Sequence, residues 1–328
     1  MDQSTRNRRV SQVEEFELIS AITAGLPTSE AISVGLGDDA ALLAGDSAGV
    51  LVCSDMMIEG RHFRRAWSSA EDIGHRAAAA NLADIAAMGG RGIALLVSLA
   101  VPADVEAGWV ADLIDGIQAE ADKVGAVIVG GDTCGIEADH GAPGPIVVSI
   151  TALGRLGEAP VVRRDGAQNG DQLALAGRQG WAAAGLTVLS RGFRSPRALV
   201  DALRRPEVAY DAGPAAALAG ATAMIDVSDG LLADVGHIAA ASGVAIDIDT
   251  ELLPVDTPLR DTAVAFTIDP LGWVLTGGED HALAATFPPD AQLPDGFVRI
   301  GTVSFGEPGV TVDGKARKGP KGWVHFGG

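Results

Sequence analysis

Aspartates recur along this chain in short clusters set among glycines and small residues. The clusters are Gly37-Asp38-Asp39, Ser54-Asp55, Asn81 to Asp84, Gly130-Gly131-Asp132, and Asp226-Val227-Ser228-Asp229-Gly230. Carboxylates resist desolvation and repel one another, so several meeting in one place require a cation between them. Lysine does not supply it, because Lys123 is the only lysine before Lys315. An Asp-rich, Lys-poor set favours hard divalent cations, which in turn carry polyphosphates. If the clusters converge, the chemistry is that of a Mg2+–polyphosphate site.

Taken singly, each cluster also has a plainer reading. Gly37-Asp38-Asp39-Ala40 is a turn before the apolar Ala41-Leu42-Leu43. Its adjacent carboxylates point different ways, so one ligates and the other orients the loop. Asp84 is the only charged residue between Ala77 and Met88, with Asn81 one turn earlier. Its partner is either a cation or an arginine such as Arg76. Asp226 closes a strand, while Ser228 and Asp229 open a helix whose free amides attract phosphate. A simple N-cap accounts for half of that motif. Gly130-Gly131-Asp132-Thr133 also ends a strand, and Gly277-Gly278-Glu279-Asp280 repeats the design later. His62 reads equally well as a surface histidine, Arg164 as a solvated cation and Trp323 as core. Cys53 and Cys134 read as small packing residues.

Familiar nucleotide motifs are missing. Nothing matches G-x-x-x-x-G-K-[ST], and no G-x-G-x-x-G joins a strand to a helix. A bound nucleotide would be held by metals, backbone amides and arginine.

The elements that position these clusters follow from periodicity. A helix is predicted over 13–24 and a strand over 50–53, ending at Ser54-Asp55. Ser68 and Glu71 have capping-box spacing and open an Ala-rich helix that stops at Gly89-Gly90. Strands at 93–101, 126–129 and 146–153 surround a helix at 104–124, with a loop over 134–145. In the second half, strands are predicted at 172–176, 223–226, 244–248, 282–287, 298–303 and 310–312. Helices are predicted at 181–190, 196–206, 214–220 and 231–242. The pattern predicts a tail over 1–10 and two α/β-type domains, 11–152 and 153–328.

Composition bounds the rest. With 328 residues, 47% apolar and 20% charged, the chain suits two well-buried domains. A net charge of −19 argues against nucleic-acid binding. Two cysteines make neither a disulfide framework nor a zinc site. No secretion signal or membrane span is legible, so a cytoplasmic location is expected.

In order and spacing, these motifs resemble the thiamine-monophosphate kinase family. That family belongs to the superfamily of aminoimidazole ribonucleotide synthetase and selenophosphate synthetase. The resemblance runs from Phe16 to Phe326. It is most specific at Gly35 to Ala40, Ser54-Asp55 through Phe63, Asn81 to Gly89, Gly130 to Thr133, Ile225 to Leu231 and Gly277 to Asp280. It implies a two-domain PurM-like fold, α/β (α+β) in class. An N-terminal mixed sheet pairs with its twin in a homodimer, and a C-terminal α-β-α domain follows. By resemblance, Asp39, Ser54, Asp55, Asp84, Asp132, Asp226 and Asp229 hold several Mg2+ ions, and Asp115, Gly131, Asp132, Arg164 and Ser228 contact ATP. His62, Glu279 and Trp323 hold thiamine monophosphate. Three positions depart from the family pattern: Cys53 for Ser or Thr, Ala83 for Ser, and His281 for an aromatic residue.

The activity implied is ATP-dependent phosphorylation of thiamine monophosphate to thiamine diphosphate by direct in-line transfer. One alternative is a synthetase-type relative. Selenophosphate synthetase would want a reactive cysteine within Met1 to Gly25, and the hydrogenase-maturation relative a terminal one; neither is present. The other alternative is a non-catalytic divalent-metal-binding protein, which lacks support because EF-hand spacing is absent.

Overall fold

The computed structural model describes residues 32–34, 38–43, 49–137 and 144–324. The tail over 1–10, the helix expected over 13–24, Gly37 and Phe326 lie outside them. Two six-stranded sheets organise the chain. The first has the order β1-β2-β3-β6-β4-β5: β1 Ile32–Val34, β2 Ala41–Leu43, β3 Val50–Ile58, β6 Val147–Leu156, β4 Gly90–Val101 and β5 Val127–Gly135. Only β4 and β5 pair in parallel. The second sheet has the order β12-β9-β11-β7-β10-β8: β12 Gly309–Val312, β9 Ala245–Ile248, β11 Phe297–Ser304, β7 Gln172–Ala176, β10 Ala282–Phe287 and β8 Ala223–Val227.

Helix α1 (Ala70–Ala87) joins these halves. Ser69 caps it, accepting from Asp72 N, while the Asp72 carboxylate accepts from Ser69 N. The capping box therefore sits one residue beyond the expected Ser68 and Glu71. Both pairs have the spacing; Arg205 from the second half pairs with Asp72 and with Glu71 alike, but only Asp72 reaches back to the cap. The helix ends as expected at Gly89, whose φ of 79° lies in the left-handed region. Almost every side chain of α1 is buried, because the helix is covered on both sides. Leu51, Leu95, Val97 and Ile150 of the first sheet pack in the same core as Ile73, Leu82 and Ile85 of α1. That core continues into Met224, Leu283 and Phe287 of the second sheet.

The second sheet's other face, with Leu175, Ile225 and Val227, packs with α6 (Leu231–Ser242) through Leu231, Val235 and Ile238. Covered on both faces, β8 and β10 are buried at every position and are apolar apart from Asp226 and Thr286. The first sheet alternates instead: its outer face leaves Met56, Leu96 and Val129 exposed.

Glu120 ties the halves together. It lies on α2 (Ala107–Ala121), is fully buried, and accepts from the Tyr210 hydroxyl at 2.6 Å. Its second oxygen meets His75 Nδ1 at 2.8 Å and Lys123 Nζ at 2.7 Å. Burial alone would raise the Glu120 pKa, but these three partners bring it below its ordinary value.

The remaining helices are α3 (Trp181–Ser190), α4 (Arg197–Arg204), α5 (Ala212–Leu218), α7 (Thr257–Phe266) and α8 (Pro270–Thr276). The last two were not expected. Each starts at Asp followed within two residues by Pro, a helix-start signal legible in the sequence. Among the described residues, no helix is long and apolar enough to cross a membrane.

Candidate active site

Asp84 projects from the apolar α1, Asp226 from the end of β8 and Asp39 from the turn before β2. These three offer carboxylate oxygens within 4.8 Å of one another. Asp84 also lies within side-chain hydrogen-bonding reach of Asp55 on β3. Asn81 supports the arrangement: its side-chain oxygen accepts from Asp55 N at 3.0 Å, and its amide donates to Ala77 O. Cys53, on the same face of β3, donates to Asn81 O at 3.2 Å and is packing under the cluster. Arg76 does not pair with Asp84, so that alternative falls.

Two cationic groups approach the cluster. Arg164 grips Asp39 with both arms of its guanidinium, at 2.8 and 3.1 Å. His281 Nδ1 lies 3.0 Å from Asp226 Oδ2. They do not neutralise the site. Burial pushes the Asp39 pKa up to about 7, against the pull of Arg164 and helped by Asp226. Burial also lifts Asp84 well above the carboxylate range, with Asp55, Asp226 and Asp39 adding repulsion. For His281, burial opposes the charged ring, but the hydrogen bond and charge of Asp226 outweigh it and raise the pKa. Asp38, the neighbour of Asp39, orients the loop instead, accepting from Arg164 N at 2.8 Å and from Arg163 at 3.3 Å.

Asp226 leads directly into a loop that borders a separate cavity of about 470 Å3. That cavity is lined by Ser228, Asp229, His62, Glu279 and Trp323, among others. The expected side-chain N-cap is absent. Gly230 is the cap residue, and Asp234 from the first turn of α6 accepts from both Asp229 N and Gly230 N. Burial, with Asp226 nearby, holds the Asp234 pKa well above its ordinary value. Two loops meet tightly here. Glu279 N donates to Ser228 O at 2.9 Å, and a Cβ on Gly278 would stand 1.9 Å from that same oxygen. Only glycine admits this approach.

Arg76, which motif reasoning passed over as a site residue, holds Glu279 at 2.6–2.8 Å and donates to His62 O at 2.8 Å. Burial would raise Glu279, yet Arg76 and His281 bring it below its ordinary pKa. An arginine on the apolar α1, two turns before Asp84, is the signal that could have found it. Ile58 N donates to His62 Nδ1, so the neutral ring carries its proton on Nε2, facing away from the backbone. Trp323 is half exposed, with the Arg61 guanidinium 5.0 Å from its ring centre.

Four expected residues lie apart from the cluster within one chain. Gly131 and Asp132 are on β5, which β6 and β4 separate from β3, a span of about 14 Å at three strand spacings. Asp115 is exposed on α2. Ser54 lies on the outer face of the first sheet, its hydroxyl 3.1 Å from Ile150 O and 3.0 Å from Thr151 Oγ1.

Residues 37–156 match the family described as AIR synthase related protein, N-terminal domain, and residues 168–287 match its C-terminal domain counterpart. The thiamine-monophosphate kinase of Mycobacterium tuberculosis (strain H37Rv) is 42% identical over 99% of this chain and 95% of its own length. The chain belongs to the thiamine-monophosphate kinase family. The Corynebacterium glutamicum member is 37% identical over 97% of this chain and 95% of its own. A solved structure, AaThiL complexed with AMPPCP and TMP, superposes with a TM-score of 0.88 at 34% identity. It covers 98% of this chain and is itself covered to 99%. The two-domain PurM-like architecture is thus shared by members of this kinase family.

The donor set fits a hard divalent cation. Carboxylate oxygens converge, and burial drives one of them, on Asp39, to a near-neutral pKa in spite of Arg164.

Proposed function

We propose that this chain phosphorylates thiamine monophosphate to thiamine diphosphate at the expense of ATP, by direct in-line transfer. The observation that carries the reading is the loop Asp226–Gly230. Its first residue belongs to the carboxylate cluster, and Ser228 and Asp229 line the cavity that also holds His62, Glu279 and Trp323. Donor and acceptor would thus meet at one loop.

Mg2+ ions are the fitting cofactor, held by Asp39, Asp55, Asp84, Asp226 and Asp229; Ser54 and Asp132, apart from the cluster within one chain, would contribute only across a dimer. Bound there, they would supply the positive charge that lets two polyanions approach in an acidic protein. Arg164, Ser228, Gly131, Asp132 and Asp115 would contact the nucleotide. Trp323 offers a face for a thiamine ring. Glu279, held by Arg76, offers a carboxylate to the cationic part of that substrate, and His62 offers an N–H. The acceptor is a phosphate oxygen already ionised near neutral pH, so no side chain need act as general base.

Residues 11–152 would serve ATP and metal binding together with dimerisation, and 153–328 would form the C-terminal domain. The exposed Met56, Leu96 and Val129 on the outer sheet face support a homodimer packed there. Such packing would cover the strand that carries Gly131 and Asp132. A cytoplasmic location suits these substrates.

Incubation with ATP, Mg2+ and thiamine monophosphate, followed by chromatography of the products, tests the proposal. Equal amounts of thiamine diphosphate and ADP are expected. Release of orthophosphate without thiamine diphosphate would favour a synthetase-type relative, and no nucleotide turnover would favour a metal-binding protein.

A further inference from the structure

A second cavity, of about 870 Å3, shares no lining residue with the one just described. It opens between the start of α1 and the turn at Lys123 on one side, and α3 and α4 on the other. In a chain of net charge −19, its wall gathers Lys123, Arg178, Arg197, Arg204 and Arg205 with Asp72, Asp201 and Glu207, while Glu120 and Glu71 reach Lys123 and Arg205 from beside it. His75 adds a further nitrogen.

Lys123 is held by the buried Glu120, and Arg205 by Asp72 and Glu71, so the cations free to exchange partners are Arg178 and Arg197. Arg178 pairs with Glu207 at 2.7 Å, and Arg197 with Asp201 at 3.1 Å, both in solvent-exposed pairs. Exposed ion pairs contribute little and exchange readily. Arg204 and Arg205 share Asp72. Arg178 is stacked 4.5 Å over the Trp181 ring, which fixes the plane of its guanidinium. Planar guanidinium forks from two directions suit phosphate oxygens, each taking two N–H donors. The volume lies in the range of small-molecule pockets and far exceeds a lone phosphate.

We propose that this cavity binds a phosphate-bearing polyanion, an organic di- or triphosphate in size, bridging the two halves of the chain. No function need be assumed for the carboxylate cluster. In metal-free protein that cluster repels phosphate, so binding in EDTA reports on the basic cavity alone.

The test is calorimetric titration of inorganic pyrophosphate into the full chain in EDTA, at constant ionic strength, with tryptophan emission followed in parallel. Saturable binding of one pyrophosphate per chain with a change in emission is expected. Arg178→Ala/Arg197→Ala should weaken it about tenfold or more, with turnover in Mg2+ unchanged. Arg197→Glu is the second variant; that side chain is 89% exposed, so folding is not at stake, and binding should again fall. Absence of saturable binding, or binding undiminished in both variants, overturns the proposal.

Discussion

Raising the pH in the absence of divalent cations should destabilise this protein, and Mg2+ should abolish most of that loss. Asp39 has a pKa near 7 in the folded, metal-free chain against an ordinary 3.8. A folded state that binds the proton more tightly than the unfolded chain is favoured below pH 3.8 and loses that advantage as the pH climbs towards 7. Roughly three units at 1.36 kcal/mol each amount to about 4 kcal/mol, shared with Asp84, whose pKa is also raised. Metal binding requires the deprotonated carboxylates, so saturating Mg2+ removes this pH dependence and adds its own stabilisation. Asp280, pushed by burial to about 7, titrates under both conditions and cancels in the difference. The assay is urea unfolding followed by tryptophan fluorescence between pH 5 and 8, in EDTA and in Mg2+. The gap between the two stability curves should widen with pH and shrink in Asp84→Asn. Parallel curves would refute the reasoning.

Three further outcomes follow from the geometry. Arg76→Met should raise the KM for thiamine monophosphate more than it lowers kcat, because Glu279 and the His62 carbonyl lose their common donor; an unchanged KM in steady-state kinetics would contradict this. Gly278→Ala should destabilise the chain by about 1–3 kcal/mol, since its Cβ would collide with Ser228 O; a thermal melt reads this directly. Met56→Asp/Val129→Asp should shift the protein to monomer in analytical ultracentrifugation, because a charge on the outer sheet face opposes apolar packing.

Much of the architecture was legible because buried elements leave unbroken signatures. Strands β7 and β10 and helices α3 and α6 fall where periodicity put them. The strands that carry chemistry were read too short. Ser54 and Asp55 look like loop residues, yet β3 runs on to Ile58 because Asn81 and the β6 ladder satisfy its backbone. The capping box slipped by one residue because two adjacent Ser–acid pairs share the same spacing, and spacing alone does not choose between them. The cluster at Asp39, Asp84 and Asp226 could be anticipated from carboxylates in apolar settings. Arg76 stands out only by its place on an apolar helix and Asp234 not at all, since the partners of both become visible only when loops from both halves meet.

The central claim is that carboxylates from two halves of the chain hold metal for phosphoryl transfer. It is tested most directly by the kcat of Asp84→Asn at moderate Mg2+, with circular dichroism verifying the fold. The account predicts a fall of roughly a hundredfold or more with the fold intact. Near-normal turnover would contradict it.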